Sequence, residues 1–223
     1  MSQRRALVTG GSRGIGAAIV QALLADDWQV HAPARAELDL ADPESVTAFL
    51  NLNAEVIYDG LVLNAAINEP APLGELTAET WDRTLKTNLS SAFSLASALA
   101  PKMAERGFGR IAAISSAYSQ RARPGRAAYS ATKAALDSLI RSLAVEFGAR
   151  GVLANGIAPG FVDTELTRQN NDEAAIAQLV SRIPVGRLAA SEEIAQAVAM
   201  LMSAKNTYIT GQTLMVDGGF SCT

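Results

Sequence analysis

Arg5-Ala-Leu-Val-Thr-Gly-Gly-Ser-Arg-Gly-Ile-Gly-Ala-Ala-Ile-Val-Gln-Ala-Leu-Leu-Ala25 is the stretch from which the rest of the chain is read. Residues 5–9 are a short apolar run of the length of a buried strand. Glycines follow at 10, 14 and 16, and then a run of Ala, Ile, Val and Leu that favours a helix. Strand, glycine turn and helix in this order make a candidate phosphate site: the glycines let the backbone turn tightly and approach a ligand. The helix N-terminus adds free N–H groups and a positive dipole end. The same pattern also serves as a plain tight turn, so the remaining parts of a site must come from elsewhere.

Working outward, Gln29-Val-His-Ala-Pro33 reads as a second strand. In dinucleotide folds an acid at this strand's end takes the 2′-OH of NAD, whereas arginine accommodates the 2′-phosphate of NADP. Here the acid is missing and Arg35 follows, with Arg13 as a second cation inside the glycine loop. The pair favours NADP(H) over NAD(H); the alternative is that both arginines are solvated surface groups. A third strand at Leu38-Asp39 would follow too closely for a crossover helix, so the helix between strands two and three is missing. Asp42-Pro43-Glu44 reads as a cap, a first-turn proline and an acid at the start of the next helix.

Further strands are expected at residues 58–64, 109–116, 151–160 and 213–217. Between them, Thr77 caps a long helical region carrying Asn88, a residue disfavoured inside helices that suggests a bend or a bound water. Residues 164–187 form a polar, helix-prone segment without a strand partner, which reads as a lid. The alternation predicts one α/β domain over residues 1–223, with a doubly wound parallel sheet of about seven strands in the order 3-2-1-4-5-6-7. Ligands in such sheets lie beyond the carboxyl ends of the strands, where the glycine loop, Asn64, Ser116 and Pro159-Gly160 all fall.

The second informative stretch runs from Ile114 through Ser115-Ser116 and a loop with Arg121, Arg123 and Arg126 into a helix carrying Tyr129 and Lys133. Tyr129 and Lys133 stand i, i+4 and share a helix face. An ammonium beside a phenol favours the phenolate, so Lys133 is expected to lower the Tyr129 pKa and fit it for proton transfer. Ser116, at a strand end, is placed to hydrogen-bond the same substrate oxygen. The three arginines read first as a solvated loop and second as an attractor for an anionic substrate or an acidic carrier protein.

Composition narrows the classes. Hydrophobic residues make up 49% and charged ones 18%, with a net charge of -3, which argues against a nucleic-acid binder. No apolar run reaches the roughly 18 residues of a membrane span, and residues 1–5 lead into a strand rather than a signal peptide. One cysteine, Cys222, and one histidine, His31, argue against a disulfide framework or a His/Cys zinc site, and a cytoplasmic setting is expected. His31 is expected to be structural or merely exposed. Acid–base chemistry is left to Tyr, Lys or carboxylates.

With these residues in hand, the chain resembles the short-chain dehydrogenase/reductase family over essentially its whole length. Thr9-Gly10-x-x-x-Gly14-x-Gly16 is similar to the family's cofactor loop, and Ser116 with Tyr129-x-x-x-Lys133 to its catalytic residues. Asn88 is similar to the asparagine completing its tetrad, and Pro159-Gly160 with Thr164 to the segment beside the nicotinamide. Residues 208–219 are similar to 3-oxoacyl-[acyl-carrier-protein] reductases.

The resemblance implies a Rossmann-type fold and an NADPH-dependent enzyme reducing a carbonyl, a 3-oxoacyl thioester being one substrate class. The same residues serve a dehydrogenase oxidising a secondary alcohol. Lys133 is then implied to hold the nicotinamide ribose and Asn88 to position a water feeding it. Cofactor contacts are implied for Gly10, Ser12, Arg13, Gly14, Ile15, Gly16, Arg35, Asp39, Leu40, Asn64, Ala65, Tyr129, Lys133, Pro159, Gly160, Val162 and Thr164, with no metal. A homotetramer or homodimer built on the Asn88 and Tyr129 helices is also implied. One departure is Leu63-Asn64-Ala65-Ala66 in place of Asn-Asn-Ala-Gly, which adds a methyl beside the adenosine. The other is the missing helix, which opens the adenine-ribose pocket. The rival from another class is a dinucleotide-binding sensor without catalysis, and such proteins lack the Tyr or Lys present here.

Overall fold

The computed structural model of the chain describes residues 3–222, so Met1 and Ser2 of the expected lead lie outside the described residues. The strands β1 (Arg5–Val8), β2 (Gln29–His31), β3 (Gly60–Leu63), β4 (Gly109–Ile114), β5 (Val152–Pro159) and β6 (Thr213–Val216) form one parallel sheet. Their order is β2-β1-β3-β4-β5-β6, so the direction of winding reverses between β1 and β3.

The two-residue period of a strand sorts the core into two layers. Leu7, Leu61, Leu63, Ile111 and Ala113 face helices α2 (Pro43–Leu52), α4 (Ser91–Glu105) and α5 (Ala127–Phe147). Ala6, Val8, Val62, Ala112 and Ile114 face α1 (Gly14–Ala25) and α8 (Ser191–Met202). Both faces of β1, β3 and β4 are therefore buried, which explains why these segments read as continuous apolar runs.

The expected strand at Leu38-Asp39 does not form, and the sheet has six strands among the described residues rather than seven. Asp39 N donates to Ser45 Oγ at 3.0 Å, and Asp39 Oδ1 accepts from Ala41 N at 3.0 Å. Local side chains thus satisfy backbone groups that a strand would have paired. The other six expected strands keep their expected order. His31 helps close this trimmed edge, with Nδ1 2.5 Å from the Tyr58 hydroxyl and Nε2 2.9 Å from Glu37 Oε1.

Caps fall where the sequence placed them. Asp42 Oδ1 accepts from Glu44 N at the start of α2, and Thr77 Oγ1 accepts from Thr80 N at the start of α3 (Ala78–Leu85). Between α3 and α4, Lys86–Ser90 is one π-helical turn, and Asn88 lies in it. Residues 164–187 hold two short helices, α6 (Glu165–Gln169) and α7 (Glu173–Val180). The ends of this segment meet where Val162 pairs with Ala189. No helix among the described residues is long and apolar enough to cross a membrane.

Candidate active site

At the winding reversal, Thr9 is a hub. Its Oγ1 donates to Val62 O at 3.2 Å and accepts from Asn64 N at 3.0 Å and Ala65 N at 3.1 Å. Asn64 Nδ2 donates back to Thr9 O at 2.9 Å and Gly10 O at 3.0 Å, tying the end of β3 to the glycine loop. The loop closes tightly enough that a Cβ on Gly16 would stand 2.0 Å from Gly10 O. Gly10 and Gly14 hold φ of +65° and +53°, the left-handed region that a side chain disfavours.

Helix α1 then begins without a side-chain cap and without an acid in its first turn. By contrast, α2, α3, α6 and α7 are capped by Asp42, Thr77, Thr164 and Asp172. The first-turn amides of α1, like those of α4 and α5, have no side-chain cap, and beside the glycine loop this arrangement fits a pyrophosphate.

A cleft of about 340 Å³ opens beside this loop, lined by Gly10, Ser12, Arg35, Asp39, Leu40 and Ala65 among others. Ala66, the departure noted above, is also in its wall. Both cations expected for a 2′-phosphate are paired here. Arg35 Nε donates to Asp39 Oδ2 at 3.1 Å, and Arg13 Nη1 to Glu165 Oε2 at 2.6 Å. The bond from Ala41 N, and then Arg35, hold the Asp39 carboxyl below its usual range.

A second cleft, of about 140 Å³, lies beyond β4 and β5 and contains Ile15, Ser116, Tyr129, Pro159, Gly160, Val162 and Thr164. Tyr129 sits in the first turn of α5 and shares the cleft wall with Ser116, whose hydroxyl is near enough to favour the phenolate. Ser116 Oγ accepts from Tyr118 N at 3.1 Å, which fixes its rotamer at the end of β4.

The expected lowering of the Tyr129 pKa is not what the structure gives. Burial raises it, with the nearby Ser116 hydroxyl and the Arg126 charge opposing. Lys133 Nζ lies 5.6 Å from the centroid of the Tyr129 ring and donates instead to Ile114 O at 2.5 Å. Lys133 is 2% exposed, and burial lowers its own pKa to about 8 despite the nearby Asp137. With both groups desolvated and no close ammonium–phenol contact, burial outweighs their mutual attraction.

The Asn88 side chain is fully committed to protein. Its Oδ1 accepts from Ile67 N at 2.8 Å, and its Nδ2 donates to Ile67 O at 2.9 Å and Thr132 Oγ1 at 3.2 Å. It therefore locks the loop after β3 to the turn of α5 between Tyr129 and Lys133. Asn64, Asn88 and Lys133 stand behind the cleft walls, while the other expected residues line the clefts or the glycine loop between them.

Sequence reading missed several wall residues. Phe161 and Phe220 meet edge to face at 5.1 Å, and Tyr118 packs edge-on against Phe161. Aromatic residues directly after Pro159-Gly160 and Gly218-Gly219 were the available signal. The arginine loop is not uniformly solvated either: Arg126 is 7% exposed and its Nη1 donates to Asn68 Oδ1 at 2.8 Å.

A family profile described as Enoyl-(Acyl carrier protein) reductase matches residues 22–221. The chain is 39% identical to the 3-oxoacyl-[acyl-carrier-protein] reductase FabG of Salmonella typhimurium, covering 96% of each. A solved short chain dehydrogenase/reductase family protein superposes with a TM-score of 0.90 at 34% identity, over 99% of this chain and 98% of that one. A gluconate 5-dehydrogenase from Burkholderia cenocepacia, solved with NADP and tartrate, gives 0.89 at 33% identity, over 100% and 97%. This chain is an enzyme of the short-chain dehydrogenase/reductase family that works with a nicotinamide dinucleotide.

Proposed function

We propose that the enzyme reduces a ketone to a secondary alcohol with NADPH, Tyr129 giving the proton. The observation that carries this reading is that Tyr129 and Ser116 line one cleft that also contains Ile15, Pro159 and Thr164. A bound nicotinamide dinucleotide supplies the hydride. The glycine loop and the start of α1 hold its pyrophosphate, Asn64 and Ala65 frame the adenosine side, and Val162 and Thr164 the nicotinamide side. Arg13 and Arg35 take the 2′-phosphate by exchanging Glu165 and Asp39, since an exposed ion pair is worth only ~0–1 kcal/mol.

Burial keeps Tyr129 protonated at neutral pH, which suits an acid. Its O–H proton passes to the substrate oxygen while the Ser116 hydroxyl hydrogen-bonds that oxygen. Lys133, charged below about pH 8, stabilises the phenolate left behind, and Asn88 positions the backbone on which this takes place. The segment carrying α6 and α7 closes over the cleft as a lid, with Thr164 at its hinge. The relatives' printed activities support carbonyl reduction, a 3-oxoacyl thioester being one substrate class, and the same groups work in reverse on a secondary alcohol.

Steady-state oxidation of NADPH and of NADH in the presence of ketones tests the proposal. It predicts turnover with NADPH at a kcat/KM at least about tenfold above that with NADH, one charge-assisted phosphate contact being worth ~1.5–3 kcal/mol. Equal use of NADH overturns the coenzyme assignment. Tight NADPH binding without oxidation by any ketone or by the reverse assay points to a silent dinucleotide sensor.

A further inference from the structure

The wall of the cleft beside Tyr129 contains two arginines, Arg123 and Arg126, and no Asp or Glu among the described residues. Arg126 is the unusual one. It is more than nine-tenths buried yet has no carboxylate partner among the described residues, its guanidinium making one hydrogen bond to them, from Nη1 to the neutral Asn68 Oδ1. Its remaining guanidinium nitrogens have no acceptor among the described residues and are not sealed off, and Arg126 is part of the cavity wall. Among the described residues the Arg123 guanidinium reaches only the Tyr118 hydroxyl, at 3.4 Å, and makes no ion pair either.

A buried guanidinium is normally matched by an acid, because desolvating a full charge without compensation is strongly unfavourable. Arg126 also occupies the cap position of α5, whose first turn has neither a side-chain cap nor an acid, so the positive end of the helix adds to the field. Three residues on, Tyr129 lines the same cavity.

Resting on the reductase reading above, we propose that the substrate is a small oxo acid whose carboxylate is bound by Arg126, with Arg123 assisting, while Tyr129 and Ser116 engage its ketone. The missing acid of the cavity is then brought by the substrate, and the fork of Arg126 receives it in bidentate fashion. Reduction leaves the carboxylate untouched: hydride adds to the ketone carbon, the Tyr129 proton adds to its oxygen, and the product is the hydroxy acid. Phe161 and Phe220 bound the chain between the two ends, which limits its length.

The test compares 3-oxobutanoate, 4-oxopentanoate and 5-oxohexanoate with their methyl esters as substrates of the full-length enzyme with NADPH. The best acid is expected to exceed its ester in kcat/KM by more than about tenfold. In Arg126→Gln that ratio should fall toward one, chiefly through a higher KM for the acid, and Arg126→Lys should restore part of it. Titration calorimetry of the enzyme–NADP complex with 4-hydroxypentanoate reads acid binding apart from turnover. Binding by the wild type that weakens at least about tenfold in Arg126→Gln supports the proposal even if no ketone is reduced, an outcome that removes only the reductase reading. Esters matching or beating acids, failure of the hydroxy acid to bind, or equal losses for acid and ester in Arg126→Gln would overturn it.

Discussion

A lysine held at 2% exposure with a backbone carbonyl as its closest partner is a charge kept against its preference, and its pH behaviour follows. Unfolded, Lys133 binds its proton up to its ordinary value of 10.5; folded, it releases it near 8. Over the interval between, the unfolded chain holds more protons, so stability rises with pH. The gain spans roughly 3 kcal/mol, from ~1.4 kcal/mol per decade of pH. Tyr129 acts in the opposite sense above pH 10, because its raised pKa keeps the proton on the folded form. Chemical denaturation of the cofactor-free protein should therefore show rising stability from about pH 8 to 10, and Lys133→Met should flatten that rise. A flat wild-type profile in this window would contradict the burial argument. The reductive rate is expected to be steady below about pH 8 and to fall above it, as the charge that stabilises the Tyr129 phenolate is lost. A pH–kcat profile checks this, and a rise above pH 8 would argue against the role given to Lys133.

Among the elements, the π turn at Lys86–Ser90 shows where sequence reading reaches and where it stops. Asn88 was conspicuous because asparagine is a poor helix interior residue, and a bend was one of the two readings. Its partner, the backbone of Ile67, lies in a loop with no periodicity, so nothing in the chain announced the pairing. Strands β1, β3 and β4 were legible because burial on both faces writes an unbroken apolar run. Leu38-Asp39 misled because two residues carry no period, and Asp39 and Ser45 satisfy the backbone locally. Tyr129, Lys133 and Ser116 were legible from spacing and strand ends, whereas the burial of Arg126 depends on the Asn68 loop folding over it. Asn88→Ala should leave the Ile67 N–H and C=O without their partners and destabilise the protein by roughly 2–4 kcal/mol. Urea denaturation measures this, and a loss below about 0.5 kcal/mol would show that the turn does not depend on Asn88. Glu165→Gln serves as a contrast, since its pair with Arg13 is solvent-exposed and its loss should cost under about 1 kcal/mol.

For the whole molecule, one parallel sheet brings the glycine loop, Asn64, Ser116 and Pro159-Gly160 to a common edge, and the two clefts follow the strand ends as that topology requires. The outer faces of α4 and α5 expose Phe93 at 58% and Val145 at 88%, apolar surface that fits burial between copies of the chain. We propose a homodimer or homotetramer through these helices. Light scattering on the wild type and on Phe93→Asp/Val145→Asp checks it: the wild type should show a multiple of 23.3 kDa and the variant a smaller species. A monomeric wild type would remove the interface. The central claim is that the Tyr129 hydroxyl gives the proton to the substrate oxygen, and Tyr129→Phe removes that hydroxyl alone. NADPH oxidation with a reducible ketone is expected to lose at least about a hundredfold in kcat, while NADPH binding by fluorescence stays within about threefold of wild type. A Tyr129→Phe enzyme that turns over within about tenfold of wild type would contradict the account.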